Sequence, residues 1–135
     1  MKINKYPSVK TVSDEERIGM VKDIFSTITD RYDFLNHFLS LRRDIAWRRF
    51  TVGKMIFPRA KKFLDIACGT GDLSIIACLA HPDISVAAAD FIYPMVEVGK
   101  NKAKKMNLSE KVDFLQANAL NLPFDDQTFD VAAMA

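Results

Sequence analysis

The residues able to do chemistry are concentrated in Asp65-Ile66-Ala67-Cys68-Gly69-Thr70-Gly71-Asp72. This stretch follows a short apolar run, Phe63 to Ala67, and opens an apolar helical pattern from Asp72 to Ala80. Gly69 and Gly71 permit a tight turn and a close backbone approach to a ligand, because neither carries a Cβ. Both are expected where a side chain would strain the turn or strike that ligand. The helix that follows aims free N–H groups and the positive end of its dipole at the same point, which favours a carboxylate or phosphate there. Asp90 closes the next apolar run. A carboxylate at that position can accept hydrogen bonds from both ribose hydroxyls of a nucleoside lying across the strand ends. Asn118, in Gln116-Ala117-Asn118-Ala119 after a third run, can donate to and accept from an adenine edge. A dinucleotide fingerprint requires a third glycine where this chain has Ser74, so that pattern fails. Cys68 reads as a small turn residue with no base beside it, and Cys78 as helix core. No metal site is expected.

An acid in the first strand, then Gly-x-Gly, then an acid ending the second strand resembles the S-adenosylmethionine site of Rossmann-like methyltransferases. That resemblance implies Asp65, Gly69, Thr70 and Gly71 around the methionine end, Asp90 on the ribose, and Asn118 with Ala119 at the adenine.

The elements that must position these residues are legible in the periodicity. Residues 1–13 have little apolar pattern and read as a mobile leader. Ser13-Asp14-Glu15-Glu16 is a helix start, a capping residue followed by acids in the first turn. Val21, Ile24, Phe25 and Ile28 follow at helical spacing. A second helical pattern begins after Asp30, and a third runs from Asp44 towards Ile56, ending at Phe57-Pro58-Arg59. Residues 1–58 therefore form a helical segment, and 59–135 a second unit. In the latter, apolar runs at Phe63–Ala67, Ile84–Ala89, Val112–Leu115 and Phe129–Met134 alternate with helical patterns. Continuous apolar strands of this kind belong to a parallel sheet covered on both faces. The expected class is α/β, a doubly wound Rossmann-like domain behind an N-terminal helical segment. The resemblance to Rossmann-like methyltransferases implies that the first strand is central, with the second and third on one side and the fourth on the other. The sheet is expected to be incomplete at its C-terminal end, leaving the fourth strand as an exposed edge for self-association. The chain alone is accordingly expected to have little activity.

Composition narrows the partners. The chain has 135 residues, 49% hydrophobic and 27% charged, which suits one globular domain. A net charge of +2 is too weak for the basic stripe of a nucleic-acid binder. Two cysteines make no disulfide framework and fit a reduced cytoplasmic setting. No apolar run reaches the roughly 18 residues of a membrane span, and the first residues lack the apolar core of a signal peptide.

A more specific resemblance rests on four blocks. They are Val21-x-x-x-Phe25-x-x-Ile28 with Tyr32-Asp33-Phe34-Leu35-Asn36; Ser40 to Trp47-Arg48-Arg49; Phe63 to Leu73; and Asn118-Ala119-x-x-Leu122-Pro123-Phe124 with Thr128-Phe129-Asp130. Together the blocks resemble the quinone C-methyltransferases of menaquinone and ubiquinone biosynthesis, the UbiE type, in their N-terminal part. The resemblance implies S-adenosylmethionine contacts at Thr70, Asp90, Asn118 and Ala119. It implies methylation of a ring carbon on a prenylated quinol, with peripheral contact to the inner face of a membrane. It also implies that the N-terminal helices cover the substrate side. Another small-molecule acceptor on the same cofactor domain, or an inactive cofactor-binding fragment, are the alternative readings. Two positions depart from the family: Arg42 stands where a glycine is usual, and Ile92 where many members carry a serine that could cap the next helix. Phe25, Ile28, Phe34, Leu35, Phe38 and Leu39 read as a packed helical face, though a prenyl tail would also need an apolar groove. Arg48 and Arg49 read as a solvated face beside Trp47. Tyr32, Asp33 and His37 are the candidate bases for activating the quinol.

Overall fold

A computed structural model describes residues 13–134 of the chain; the expected leader lies outside these residues. Helix α1 runs Asp14–Leu39 and begins with a full capping box. The Ser13 hydroxyl accepts from the Glu16 N–H at 3.2 Å, and the Glu16 carboxylate accepts from the Ser13 N–H at 2.9 Å. The separate helix expected after Asp30 does not exist, because nothing between Asp30 and Phe34 breaks the backbone ladder. Helix α2 spans Arg43–Gly53, shorter than the pattern towards Ile56 suggested. Leu41 and Arg42 turn the chain between the two helices with φ of 51° and 63°. Both sit in the left-handed region, where glycine is favoured. Arg42, the departure noted above, is thus a strained position.

Strand β1 covers Lys62–Ile66, α3 Asp72–Ala80, β2 Ser85–Asp90, α4 Tyr93–Lys105, β3 Val112–Gln116 and β4 Val131–Met134. The strand order is β3-β2-β1-β4 with every pairing parallel, as the sequence predicts. Strand β4 is shorter than its apolar run. Asp130 instead turns its carboxylate back on the start of β1, accepting from the Lys61 N–H at 2.6 Å and from Ala60 at 3.3 Å. The core lies between the sheet and its helices, with Phe63, Val96, Ala77 and Phe114 among its buried side chains. Cys78 belongs to that core and Cys68 is half-buried; both are free thiols. Burial pushes the Cys78 thiol up to about 11, and burial with nearby Asp65 and Asp90 raises that of Cys68 further, so neither is a nucleophile at neutral pH.

The expected packed face of α1 is only partly realised. Phe25 and Ile28 are half-buried, but Phe34, Phe38 and Leu39 are 67%, 66% and 76% exposed. In the C-terminal turns of α1, Phe34 stacks on Phe38 with ring centroids 5.9 Å apart.

Candidate functional site

The parallel sheet places the C-terminal ends of β1, β2 and β3 side by side, so the loops that follow them share one rim. At β1, Asp65 is 1% exposed. Its Oδ2 accepts from the Ser74 hydroxyl at 2.6 Å, while its Oδ1 is buried with no hydrogen-bond partner. Ser74, where a dinucleotide site would carry glycine, is the residue that anchors this acid. Burial pushes the Asp65 carboxyl up to about 6, against the opposing Ser74 hydrogen bonds. An unpartnered, buried acceptor of this kind suits a cationic group such as an ammonium.

The loop after β1 is built on positive φ at Ala67, Gly69 and Gly71. Gly69 donates its N–H to Asp90 Oδ2 at 2.7 Å, and Ile92 donates to Asp90 Oδ1 at 2.8 Å. The Ile92 contact shapes the turn before α4, whose N-terminus has no side-chain cap. Each Asp90 oxygen is fixed by one backbone donor and retains acceptor capacity for a ligand hydroxyl.

Gly71 holds φ of 81°, where a side chain would strain the turn, as the sequence implies. A Cβ built there would lie 2.5 Å from the Phe114 ring, in the core and away from the rim. At Gly69 the nearest atom to such a Cβ is Tyr32 Cε1 at 3.6 Å, an ordinary contact, and φ of 56° is the constraint. Gly71 thus serves the packing of the loop on β3.

Two cavities meet at Tyr32, which lines both. The first, about 100 Å³, is polar and bounded by Arg48, Asp65, Thr70 and Asp72. The second, about 240 Å³, is mostly apolar, bounded by Val21, Phe25, Asp90, Phe91 and Met95. Helix α1 roofs both, and Lys22 rests its ammonium 4.1 Å from the Phe91 ring centroid. Asn118 and Ala119 are exposed on the same rim but line neither cavity. The Asn118 side-chain oxygen accepts from the Leu120 N–H at 3.0 Å, so its acceptor is engaged in a local turn.

The candidate bases differ in what holds them. Asp33 accepts from the Thr70 hydroxyl and, at 2.7 Å, from Lys102. Burial acts to raise its carboxyl, but the Lys102 and Thr70 hydrogen bonds outweigh it and hold Asp33 below the usual range. His37 Nδ1 lies 2.8 Å from Asp44 Oδ2. Asp44 also accepts from the Ser40 hydroxyl at 2.6 Å and from Arg48. Burial opposes these donors, which nevertheless keep its carboxyl well below the ordinary value. Arg48 lies 3.7 Å from Asp72 as well. It is thus the inward member of its pair with Arg49, not part of a solvated face. His37, Asp44 and Asp72 bring ligand atoms within 4.8 Å of one another, but Arg48 supplies the positive charge of that cluster. Sequence reasoning missed Lys102. It stands in Lys100-Asn101-Lys102-Ala103-Lys104-Lys105, which reads as a solvated helix end, and only the three-dimensional path of α1 brings Asp33 to it.

Comparison with known proteins agrees with this frame. A profile of the ubiE/COQ5 methyltransferase family matches residues 10–135. A demethylmenaquinone methyltransferase of Bacillus cytotoxicus is 42% identical over 119 residues, covering 87% of this chain and 48% of the relative. The Thermus thermophilus enzyme of the same name is 42% identical over 112 residues, covering 83% of this chain and 50% of its own length. The chain thus spans about half the length of these relatives. Among solved structures, a putative S-adenosyl-L-methionine-dependent methyltransferase from Methanococcus maripaludis superposes with a TM-score of 0.65. It is 24% identical, covering 78% of this chain and 48% of that one, and it supports the fold alone. The profile match over nearly the whole sequence, with relatives this similar, places the chain in the ubiE/COQ5 methyltransferase family.

Proposed function

We propose that the chain forms the cofactor-binding half of an S-adenosylmethionine-dependent C-methyltransferase. Its acceptor is a demethylated, prenylated quinol, the reaction that converts demethylmenaquinone to menaquinone or its ubiquinone counterpart. The names of the relatives support the acceptor class. The observation that carries the cofactor reading is the orphaned Asp65 oxygen and the preorganised Asp90, which line two cavities that meet at Tyr32.

When bound, S-adenosylmethionine supplies a methyl group activated by a sulfonium. Asp65, Gly69, Thr70 and the α3 N-terminus, with Gly71 shaping the turn, hold the methionine end. Asp90 accepts the ribose hydroxyls, and Asn118 and Ala119 flank the adenine. Residues 1–58 cover the substrate side and 59–135 hold the cofactor. By roofing the cavities, α1 excludes water and orients the reactants, a contribution of several kcal/mol in well-aligned sites.

Of the candidate bases we take His37, whose Nδ1 is held by Asp44. Asp44 contacts the ring at Nδ1, and in the tautomer protonated there Nε2 is free to accept a proton from a quinol hydroxyl. Asp33, held ionised by Lys102, serves position instead. His37 also lines an open groove of about 490 Å³ with Phe34, Phe38, Leu41 and Arg42, suited to an isoprenoid tail. No helix among the described residues is long and apolar enough to cross a membrane. The same aromatic surface, flanked by Arg42 and Arg43, is the face that would rest against the cytoplasmic side of a membrane containing the quinol.

Calorimetry with S-adenosylhomocysteine tests the cofactor half, and transfer of labelled methyl to a demethylated quinol tests the reaction. Asp90→Ala should weaken cofactor binding by about 1–3 kcal/mol, the loss of charged hydrogen bonds. Binding of NADH without binding of S-adenosylmethionine or its product would overturn the reading.

A further inference from the structure

Lys102 lies outside every motif described above, yet its ammonium makes three contacts, two of them to Thr70 and Asp72, which line the polar cavity. It donates to Asp33 Oδ2 at 2.7 Å, to Thr70 Oγ1 at 3.1 Å, and to Asp72 Oδ1. An ammonium has three protons, and here each has an acceptor. The three acceptors come from α1, from the loop after β1 and from the first residue of α3, while Lys102 itself belongs to α4. Its side chain is 26% exposed and that of Asp33 31%, so these are charge-assisted contacts at a partly buried site.

The Thr70 hydroxyl has one proton and gives it to Asp33. It also accepts from Lys102, which leaves it one acceptor position and no donor. We propose that Lys102 is a positioning residue for the cofactor site: it ties α1 to the loop and sets the Thr70 hydroxyl to accept from a ligand ammonium. This rests on the cofactor reading above and extends it. The buried Oδ1 of Asp65 lines the same cavity, so Thr70 and Asp65 together present acceptors to a cationic group. A ligand carboxylate is left to the backbone N–H groups at the α3 N-terminus.

The test uses the full 135-residue chain and two probes. S-Adenosylhomocysteine carries the amino-acid end, and methylthioadenosine lacks it. In Lys102→Met, affinity for S-adenosylhomocysteine should fall at least tenfold and that for methylthioadenosine less than threefold. Lys102→Arg should recover S-adenosylhomocysteine binding to within threefold of wild type. Amide hydrogen exchange around Asp33 in the ligand-free chain should quicken in Lys102→Met while exchange in β1 and β2 stays unchanged. Asp33→Asn should behave as Lys102→Met does, and the double variant should be no weaker than either single one. Unchanged affinity and unchanged α1 exchange in Lys102→Met would overturn the proposal. An equal loss for both probes would also overturn it, since Lys102 would then be a general stabiliser of the fold. A wild-type chain that binds neither probe would overturn the cofactor reading itself, whereas the exchange measurement judges the tie between α1 and the loop without any ligand.

Discussion

Arg42 and Asp65 show how single positions carry strain in this chain. Arg42 holds φ of 63° between α1 and α2, where glycine meets no Cβ penalty. Arg42→Gly should therefore stabilise the protein by about 0.5–1 kcal/mol, read from urea unfolding midpoints. Asp65 carries a different strain. Burial raises its carboxyl from 3.8 to about 6 in the folded chain. Between those values the folded state binds more protons than the unfolded one, so this group makes stability fall as pH rises from about 4 to 6 and has no further effect above. The whole interval corresponds to about 3 kcal/mol. Asp65→Asn should remove that slope and raise stability at pH 7.5 relative to wild type, while weakening binding of S-adenosylhomocysteine, whose ammonium loses a charged acceptor. Denaturation at pH 4.5 and 7.5, with calorimetry at the higher pH, checks both halves. At this scale the site was half legible. Asp65 and Asp90 announce themselves by standing at strand ends beside a Gly-x-Gly turn. Lys102 does not, because its partners Asp33 and Asp72 lie 69 and 30 positions away.

Between elements, the contact that sets the spacing is a ring packed against two glycines. A Cβ at Gly71 would come 2.5 Å from the Phe114 ring, and one at Gly99 of α4 would come 2.3 Å from it. Phe114 on β3 thus wedges between the start of α3 and the middle of α4. Gly99→Ala gains about 1 kcal/mol in helix propensity. Overpacking of about 1–3 kcal/mol outweighs that gain, so the melting temperature should drop. Adding Phe114→Leu should recover part of the loss, a coupling visible in a double-mutant cycle. Gly71→Val, strained at φ of 81° and blocked by the same ring, should fail to fold. The sequence shows the alternation of strands and helices clearly, because apolar runs such as Val112–Leu115 are short and bounded. It does not show which of the two glycines in Gly-x-Gly also makes room for a core ring, since both look alike until Phe114 is placed. The helix boundaries were less readable. The helix runs unbroken through Asp30, Tyr32 still lines the cavities, and the strongly exposed apolar side chains begin only at Phe34.

For the molecule as a whole, the order β3-β2-β1-β4 leaves β4 at an edge of the sheet among the described residues. An edge of free backbone groups pairs readily with another chain. The isolated 135-residue chain should therefore show concentration-dependent association in sedimentation. Met134→Lys, at a position 66% exposed, should shift it towards monomer without changing its far-ultraviolet spectrum. Association that persists unchanged in Met134→Lys would place the contact elsewhere, on the exposed aromatic face of α1.

The same strand order has a consequence for how the protein is made. Strand β1 pairs with β2 on one side and with β4 on the other, and residues 67–130 separate β1 from β4 in the chain. A ribosome adding about 5–20 residues per second takes roughly 3–13 s to cross that interval. Throughout it, the central strand of the sheet has one open side, and Phe63, wholly buried at the end, lies next to that side. The Asp130 carboxylate, which grips the start of β1, emerges just ahead of the strand that closes the gap. Nascent chains halted before residue 130 should thus be captured by a hydrophobic-binding chaperone, and those carried through β4 released.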